Sequence, residues 1–148
     1  MIRYVVDASV GIKWLLREPD SIKALSLISE RVERVVPDLF HSEIGNAIWK
    51  NVRTGKLSAS EARSALQHLH AIRLTVIPVS TLMETTLDIA RSYDRSFYDS
   101  SYIALAVQEK ATLVTADLRL LNAMNNTPFS QIVAGLHDLT LTTRRRRQ

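Results

Sequence analysis

Short runs of apolar and β-branched residues alternate along the chain with longer stretches whose apolar residues recur every three or four positions. The short runs predict strands, because a strand that is buried on both faces has no polar side. They lie at residues 2–6, 34–37, 74–77 and 112–115, with weaker candidates at 132–133 and 139–141. The spacing in the longer stretches predicts helices that bury one face.

Polar residues that commonly cap helices stand at the predicted start of several helical stretches. They are Ser9, Asp20, Ser58, and Ser80 or Thr81. Glu61 follows Ser58 by three residues, which is the capping-box pattern. Residues 101–110 predict a more apolar helix. The alternation of strands and helices predicts an α/β fold, in which a mostly parallel sheet of four or five strands lies between two layers of helices.

The length of 148 residues favours a single domain. The chain has no cysteine, so disulfide scaffolds and thiolate metal sites are excluded. No apolar run approaches the length of a membrane span, and the N-terminal run is interrupted at Asp7. We therefore expect a cytosolic protein with no membrane partner.

Positive charge is concentrated near the C-terminus. Residues 144–147 are four consecutive arginines, which equal the whole net charge of +4. The sequence therefore divides into one domain at residues 1–141, which is close to neutral, and a basic tail at residues 142–148. Such a tail either raises affinity for nucleic acid without sequence preference or is a solvated terminus without a role in binding.

Four acidic residues are the candidates for chemistry. Asp7 ends the first predicted strand and Asp117 follows the fourth, while Asp99 opens a helix after a polar loop. Glu43 lies near the apolar side of its helix, where a carboxylate is out of place. Because ligands of open α/β sheets bind at the carboxyl ends of the strands, these acids are expected to meet there.

Four carboxylates cannot share a site as bare anions, because their repulsion raises pKa values or forces the site apart. A divalent cation that prefers oxygen ligands, such as Mg²⁺ or Mn²⁺, removes this conflict. Each acid also has a structural alternative. Asp7 could simply end a strand, Asp99 and Asp117 could cap helices, and Glu43 could pair with a nearby arginine or lysine. Spacing alone leaves these alternatives open.

Four motifs resemble those of one family, in its order and approximate spacing, from residue 2 to about residue 135. They are Tyr-Val-Val-Asp-Ala-Ser at residues 4–9, Glu43 with Asn46 one turn later, Tyr-Asp-Ser at residues 98–100, and Leu-Val-Thr-Ala-Asp at residues 113–117 followed by Leu120. Together they resemble the PIN domains, and in particular the VapC toxins of bacterial and archaeal toxin–antitoxin pairs.

The resemblance implies a three-layer α/β/α fold and an endoribonuclease that depends on Mg²⁺ or Mn²⁺ to hydrolyse RNA phosphodiester bonds. It also implies a homodimer and inhibition by a small antitoxin protein. The family's catalytic and metal-binding acids correspond to Asp7, Glu43, Asp99 and Asp117. Supporting positions correspond to Ser9, which is otherwise the helix cap, to Thr115, which would orient an acid, and to Asn46, which is otherwise an exposed residue.

One position departs from the pattern: some relatives have another acid two residues after the last one, where this chain has Arg119. Two alternatives within the family are a nuclease of RNA processing that is not a toxin and a non-catalytic module that binds RNA or protein. A phosphatase or phosphorelay domain fits less well, because Ser9 replaces the expected second aspartate and Asp7 has no acidic neighbour. The helices around Trp14 and Trp49 are candidate dimer contacts.

Overall fold

A five-stranded sheet forms the centre of the structure, a computed structural model that describes residues 1–140. The strands are β1 (Ile2–Val6), β2 (Val32–Pro37), β3 (Thr75–Ile77), β4 (Thr112–Thr115) and β5 (Val133–Gly135). Their order across the sheet is β3-β2-β1-β4-β5, and all four pairings are parallel. The predicted, mostly parallel sheet is confirmed.

Seven α-helices accompany the sheet in residues 1–140, and together they give a three-layer α/β/α fold. They are α1 (Ala8–Leu15), α2 (Ser21–Leu25), α3 (Leu39–Arg53), α4 (Ala59–Ala71), α5 (Met83–Tyr93), α6 (Phe97–Glu109) and α7 (Leu118–Met124). Short 3-10 turns occur at Val79–Thr81 and Leu136–Asp138. None of the helices in this part of the chain is long and apolar enough to cross a bilayer.

The central strand β1 determines where a ligand can enter. Val5 lies between Val35 of β2 and Leu113 of β4, and all three side chains are buried. The chain leaves β1 toward β2 on one side and later returns to β4 on the other side. Such a change of direction opens a crevice at the carboxyl ends of the two strands, and Asp7 and Asp117 follow those ends.

Most predicted elements are confirmed, with shifts at their ends. The weak strand candidate at residues 132–133 is β5, whereas Leu139 and Thr140 are not in a strand. Residue 141 and the basic tail at 142–148 lie outside the described residues. The capping box of Ser58 and Glu61 is present in both directions, with distances of 3.0 and 3.1 Å.

Several predicted helix starts are wrong. Ser9 is not a cap, because α1 already begins at Ala8. The helix expected at residues 101–110 begins at Phe97, since the Ser96 hydroxyl accepts a hydrogen bond from the Asp99 amide. Residues 79–81 form a 3-10 turn and α5 begins only at Met83. The N-terminal turn of a helix often tightens in this way.

Trp14 is not available as a dimer contact. Only 9% of this residue is exposed, and its indole Nε1 donates a hydrogen bond to the Ala24 carbonyl at 2.9 Å. It therefore ties α1 to α2 within the core. Trp49 on α3 is 55% exposed, so this half of the predicted contact surface is accessible.

Candidate active site

The four predicted acids lie at the carboxyl edge of the sheet, on four different elements. Asp7 directly follows β1 and Asp117 follows β4, while Asp99 is in the first turn of α6 and Glu43 is near the start of α3. They interact electrostatically: Asp99 and Asp117 both raise the pKa of Asp7, and Asp7 and Asp99 both raise the pKa of Glu43. The fold therefore brings the four acids into one cluster.

Asp7 is the buried centre of this cluster. It is 7% exposed, and its Oδ2 accepts hydrogen bonds from the Ser9 and Thr115 hydroxyls, each at 2.7 Å. Burial raises the pKa of Asp7 above its ordinary value, and the two hydroxyl donors oppose that rise. A charge is expensive to bury without a counter-charge, so the ionised form of Asp7 favours a cation beside it.

The two hydroxyls that hold Asp7 also connect the ends of β1 and β4. Ser9 Oγ accepts a hydrogen bond from the Ala116 amide at 3.0 Å, and Thr115 Oγ1 accepts one from the Asp117 amide at 3.0 Å. Each hydroxyl thus donates to Asp7 and accepts from the backbone at or next to Asp117. Ser9, whose alternative was a helix cap, acts in this bridge.

Asp117 and Asp99 differ in their local roles. Asp117 caps α7, because its Oδ1 accepts from the amides of Arg119 at 3.0 Å and Leu120 at 3.4 Å. The capping alternative is therefore correct for Asp117, alongside its place in the cluster. It is wrong for Asp99, whose Oδ2 accepts instead from Arg95 Nη2 at 2.9 Å. Arg95 was not among the predicted site residues.

Glu43 is held by a tyrosine rather than by the arginine or lysine that was its structural alternative. The Tyr102 hydroxyl donates to Glu43 Oε1 at 2.8 Å. Burial is the main reason why the pKa of Glu43 rises to about 7, with Asp7 and Asp99 adding to the rise and Tyr102 opposing it. Burial, together with Asp7 and Glu43, also raises the pKa of Tyr102, so Tyr102 stays a neutral donor.

One pattern unites the four acids. A protein donor holds one oxygen of each carboxylate, whereas no hydrogen bond from residues 1–140 reaches the other oxygen. In the same residues, no three acidic or histidine side chains are close enough to enclose an ion. The donor set, which is four carboxylates with one open oxygen each, suits a hard divalent cation.

The comparison with known proteins identifies the family. The family model described as the PIN domain matches residues 4–125, which include all four acids. The chain belongs to the PIN domain family.

Ribonuclease VapC9 of Mycobacterium tuberculosis is 37% identical to this PIN domain over 116 residues, which cover 78% of this chain and 87% of the relative. Ribonuclease VapC3 of Pyrobaculum aerophilum is 30% identical over 121 residues, covering 80% and 92%. A solved structure described as a toxin–antitoxin complex from Klebsiella pneumoniae has the same fold, with a TM-score of 0.67, 13% identity, and coverage of 92% of this chain and 99% of that one.

Two supporting residues of this PIN domain could not be predicted from the sequence. One predicted residue, Asn46, makes no side-chain hydrogen bond within residues 1–140. Tyr102 follows Asp99 by three residues, so helical spacing puts both on one side of α6, but only the packing of α6 near α3 brings Tyr102 to Glu43. Arg95 belongs to the loop before α6. Asn46 is exposed on α3, and its side chain makes no hydrogen bond within residues 1–140. Its role stays a prediction.

Proposed function

We propose that this PIN domain is a metal-dependent endoribonuclease that hydrolyses RNA phosphodiester bonds, and that it is the toxin of a VapBC-type toxin–antitoxin pair. The observation that supports this best is the set of four carboxylates with open oxygens at the carboxyl edge of the sheet. The name of the 37% identical relative, a ribonuclease, supports the same chemistry.

The residues present fit a Mg²⁺ or Mn²⁺ ion. Asp7, Glu43, Asp99 and Asp117 would hold it. When bound, such an ion neutralises phosphate charge and makes water a stronger nucleophile at neutral pH. Ser9 and Thr115 fix the orientation of Asp7, and Tyr102 fixes that of Glu43, since each donates to one carboxylate oxygen.

Asp7 and Glu43 would both hold the metal ion, but they differ in burial and in how firmly they are held. Asp7 is the more deeply buried and is held by two hydroxyls, so its orientation is fixed. Glu43 has one open oxygen and, in the absence of a metal ion, a pKa of about 7. A bound cation would favour its ionised form, which makes Glu43 the ligand whose protonation competes with metal binding near neutral pH. Arg95, bonded to Asp99, is the cation in contact with the cluster and can approach a phosphate oxygen.

The test is cleavage of mixed cellular RNA by purified protein freed of any antitoxin. We expect a chelator to abolish cleavage and added Mn²⁺ to restore it. Asp7→Asn should be folded but inactive, because an amide is a poor cation ligand. Asp88→Asn is the matched control, since Asp88 is exposed on α5, away from the cluster.

Equal cleavage with and without chelator, or full activity of Asp7→Asn, would contradict a metal site built on these carboxylates. RNA that is bound but never cleaved would identify the non-catalytic binding module instead. Cleavage without growth arrest on expression, and without a neighbouring small gene for a DNA-binding protein, would identify a nuclease of RNA processing. The cytosolic location belongs to the proposal, because that is where RNA and the inhibitor meet.

We also propose that the protein is a homodimer and that the exposed Trp49 on α3 lies at a protein contact. A large aromatic side chain that is half exposed is typical of interfaces, where tryptophan is enriched. Light scattering should give twice the monomer mass, and Trp49→Ser should lower it toward the monomer mass. A monomer at every concentration would contradict the dimer.

A further inference from the structure

A cavity with apolar walls and charged side chains lies at the opposite edge of the sheet, where β2 and β3 begin. Its volume is about 610 Å³, and its lining includes Val32 and Thr75, the first residues of those two strands. Ile28, Val32 and Ile72 give it apolar walls, and Arg34 and Arg73 bring positive charge. The volume is typical of pockets that bind small organic molecules.

Arg34 is an arginine buried without an acidic partner. It is 7% exposed, its Nε donates to the Arg73 carbonyl at 3.0 Å, and its Nη1 donates to the carbonyls of Leu27, Ser29 and Val32 at 2.9 to 3.1 Å. These carbonyls satisfy donors but carry no negative charge. The fold therefore holds the guanidinium in place with neutral partners, and within residues 1–140 Arg34 forms no ion pair.

The Nη2 group of Arg34 is available to a ligand. It makes no hydrogen bond within residues 1–140, and it is not among the polar atoms there that are both unpartnered and sealed from solvent. Arg34 lines the cavity and its Nε and Nη1 donate to carbonyls, so Nη2 is the nitrogen with donors to spare. An arginine edge that is held in place in this way is a good donor to phosphate.

The neighbouring charges do not neutralise Arg34. Burial first, and then repulsion by Arg73, lowers the pKa of Arg34. Glu30 and Glu33 also line the cavity, but in residues 1–140 neither forms an ion pair with Arg34 or Arg73. Glu33 is instead bonded to Arg3 at 2.8 Å. Two cations thus repel each other at a cavity, and an anion between them would remove that repulsion.

We propose that this cavity binds a nucleoside monophosphate, with its phosphate on Arg34 Nη2 and the Arg73 side chain and its base against Ile28, Val32 and Ile72. A phosphate dianion matches the two positive charges. The apolar walls and the volume suit a planar organic body better than inorganic phosphate alone. This site is separate from the acids, which lie at the other end of the strands.

The experiment is calorimetric titration with adenosine monophosphate, inorganic phosphate and adenosine, in chelator and low salt. Chelator removes any route by which a phosphate could bind through a metal at the acids. We expect the monophosphate to bind more tightly than either fragment. Arg73→Gln should weaken its binding about tenfold, which is the scale of one charge-assisted contact. Arg63→Gln, on the exposed side of α4, removes the same charge elsewhere and should change nothing.

Arg73 is the informative position, because the fold uses its backbone carbonyl and not its side chain. Arg34→Lys is a second variant that keeps the charge but loses the planar edge, and it should weaken binding at least as much as Arg73→Gln. No detectable binding of the monophosphate would overturn the proposal. So would equal weakening by Arg73→Gln and Arg63→Gln, or equal affinity for the monophosphate and inorganic phosphate.

Discussion

The two edges of the central sheet bury side chains of opposite charge, Asp7 at the carboxyl edge and Arg34 at the amino edge, and the direction of the chain explains the difference. Asp7, Asp99 and Asp117 occupy the N-cap or first turn of α1, α6 and α7, where free backbone amides favour negative charge. At the other edge Arg34 meets carbonyls, including that of Arg73 just after α4. The free amides at the helix starts favour the aspartates at the carboxyl edge, and the carbonyls at the amino edge favour the positive charge of Arg34.

The two edges hold their charged groups in the same manner but with opposite kinds of hydrogen-bond partner. At the carboxyl edge, hydroxyl and amide donors hold one oxygen of Asp7 and one of Asp117 and leave the second oxygen open. At the amino edge, four carbonyls hold two nitrogens of Arg34 and leave the third open. In both places the protein fixes the charged group through some of its atoms and leaves one atom free to bind a ligand. A charged group with all its atoms engaged would have no such capacity.

The largest expected effect is a loss of RNA cleavage in a variant of the carboxyl edge that has no counterpart in a variant of the amino edge. Asp117→Asn should reduce RNA cleavage by more than about 100-fold, because even residues that only support metal ligands cost about 10- to 100-fold. Asparagine is also a good helix cap, so α7 should keep its start. Arg73→Gln, at the amino edge, should leave cleavage within about twofold of the parent.

The measurement is the initial rate of cleavage at saturating Mn²⁺, with circular dichroism as the check on folding. A comparable loss of cleavage in Arg73→Gln would show that the edges are not independent. Near-normal cleavage by folded Asp117→Asn would remove Asp117 from the metal site.

A smaller effect concerns stability and pH. The folded pKa of Glu43, about 7, is above its ordinary value of 4.5, so folding favours the protonated form. Its stabilising contribution is complete below pH 4.5 and is lost as the pH rises through 7. Asp7, whose pKa is also raised, acts in the same direction. In chelator, the melting temperature should therefore fall as the pH rises across this window, and Mn²⁺ should restore it above pH 7 by linkage.

Glu43→Gln should flatten this pH dependence, whereas Glu30→Gln, which removes an exposed acid at the amino edge, should not. Differential scanning fluorimetry at several pH values gives the comparison. A melting temperature that rises from pH 4.5 to 7 in chelator would contradict the assigned sign.

The smallest effect is expected from a residue that touches only one acid. Tyr102→Phe removes the donor to Glu43 Oε1, and it should lower cleavage about tenfold and the free energy of unfolding by about 1 kcal/mol. Since the tyrosine lowers the pKa of Glu43, its loss should move the pH dependence to higher pH. Binding of adenosine monophosphate at the amino edge should not change. A purely structural tyrosine would leave the pH profile unmoved.

The main features of the carboxyl edge could be predicted because they are local in sequence. Asp7 and Asp117 directly follow apolar strands, and the strand–helix alternation orients those strands in parallel. The family resemblance indicated Ser9 and Thr115 as supporting residues, and both donate to Asp7. The contact between Tyr102 and Glu43 and the one between Ser9 and the Ala116 amide could not be predicted, because they span 59 and 107 positions. Such contacts depend on how helices pack after the sheet has formed.

Local sequence patterns alone did not determine the roles of Ser9 and Trp14, for physical reasons. Ser9 is a good N-cap residue, but Asp7 takes that position, and the hydroxyl of Ser9 bridges two strands instead. The helix around Trp14 was a candidate dimer contact, but Trp14 itself lies beneath the short α2, where the Ala24 carbonyl accepts its indole hydrogen bond. Arg34 was predicted only as the first residue of a strand. Three of its carbonyl partners lie within seven residues, but the loop before β2 has to fold back for them to meet the guanidinium, and the fourth belongs to the distant Arg73.

The bridge between Asp7 and Thr115 has a consequence for the order of events during synthesis. The bond joins positions 108 residues apart, and β1 obtains its neighbour β4 only after six intervening α-helices and two strands have been made. Contacts so distant in sequence form late in folding, and a chain folds as it leaves the ribosome. A nascent chain therefore carries Asp7 and Glu43 before either of the two remaining aspartates has been made. It acquires a complete set of acids only when β4 and the start of α7 have emerged.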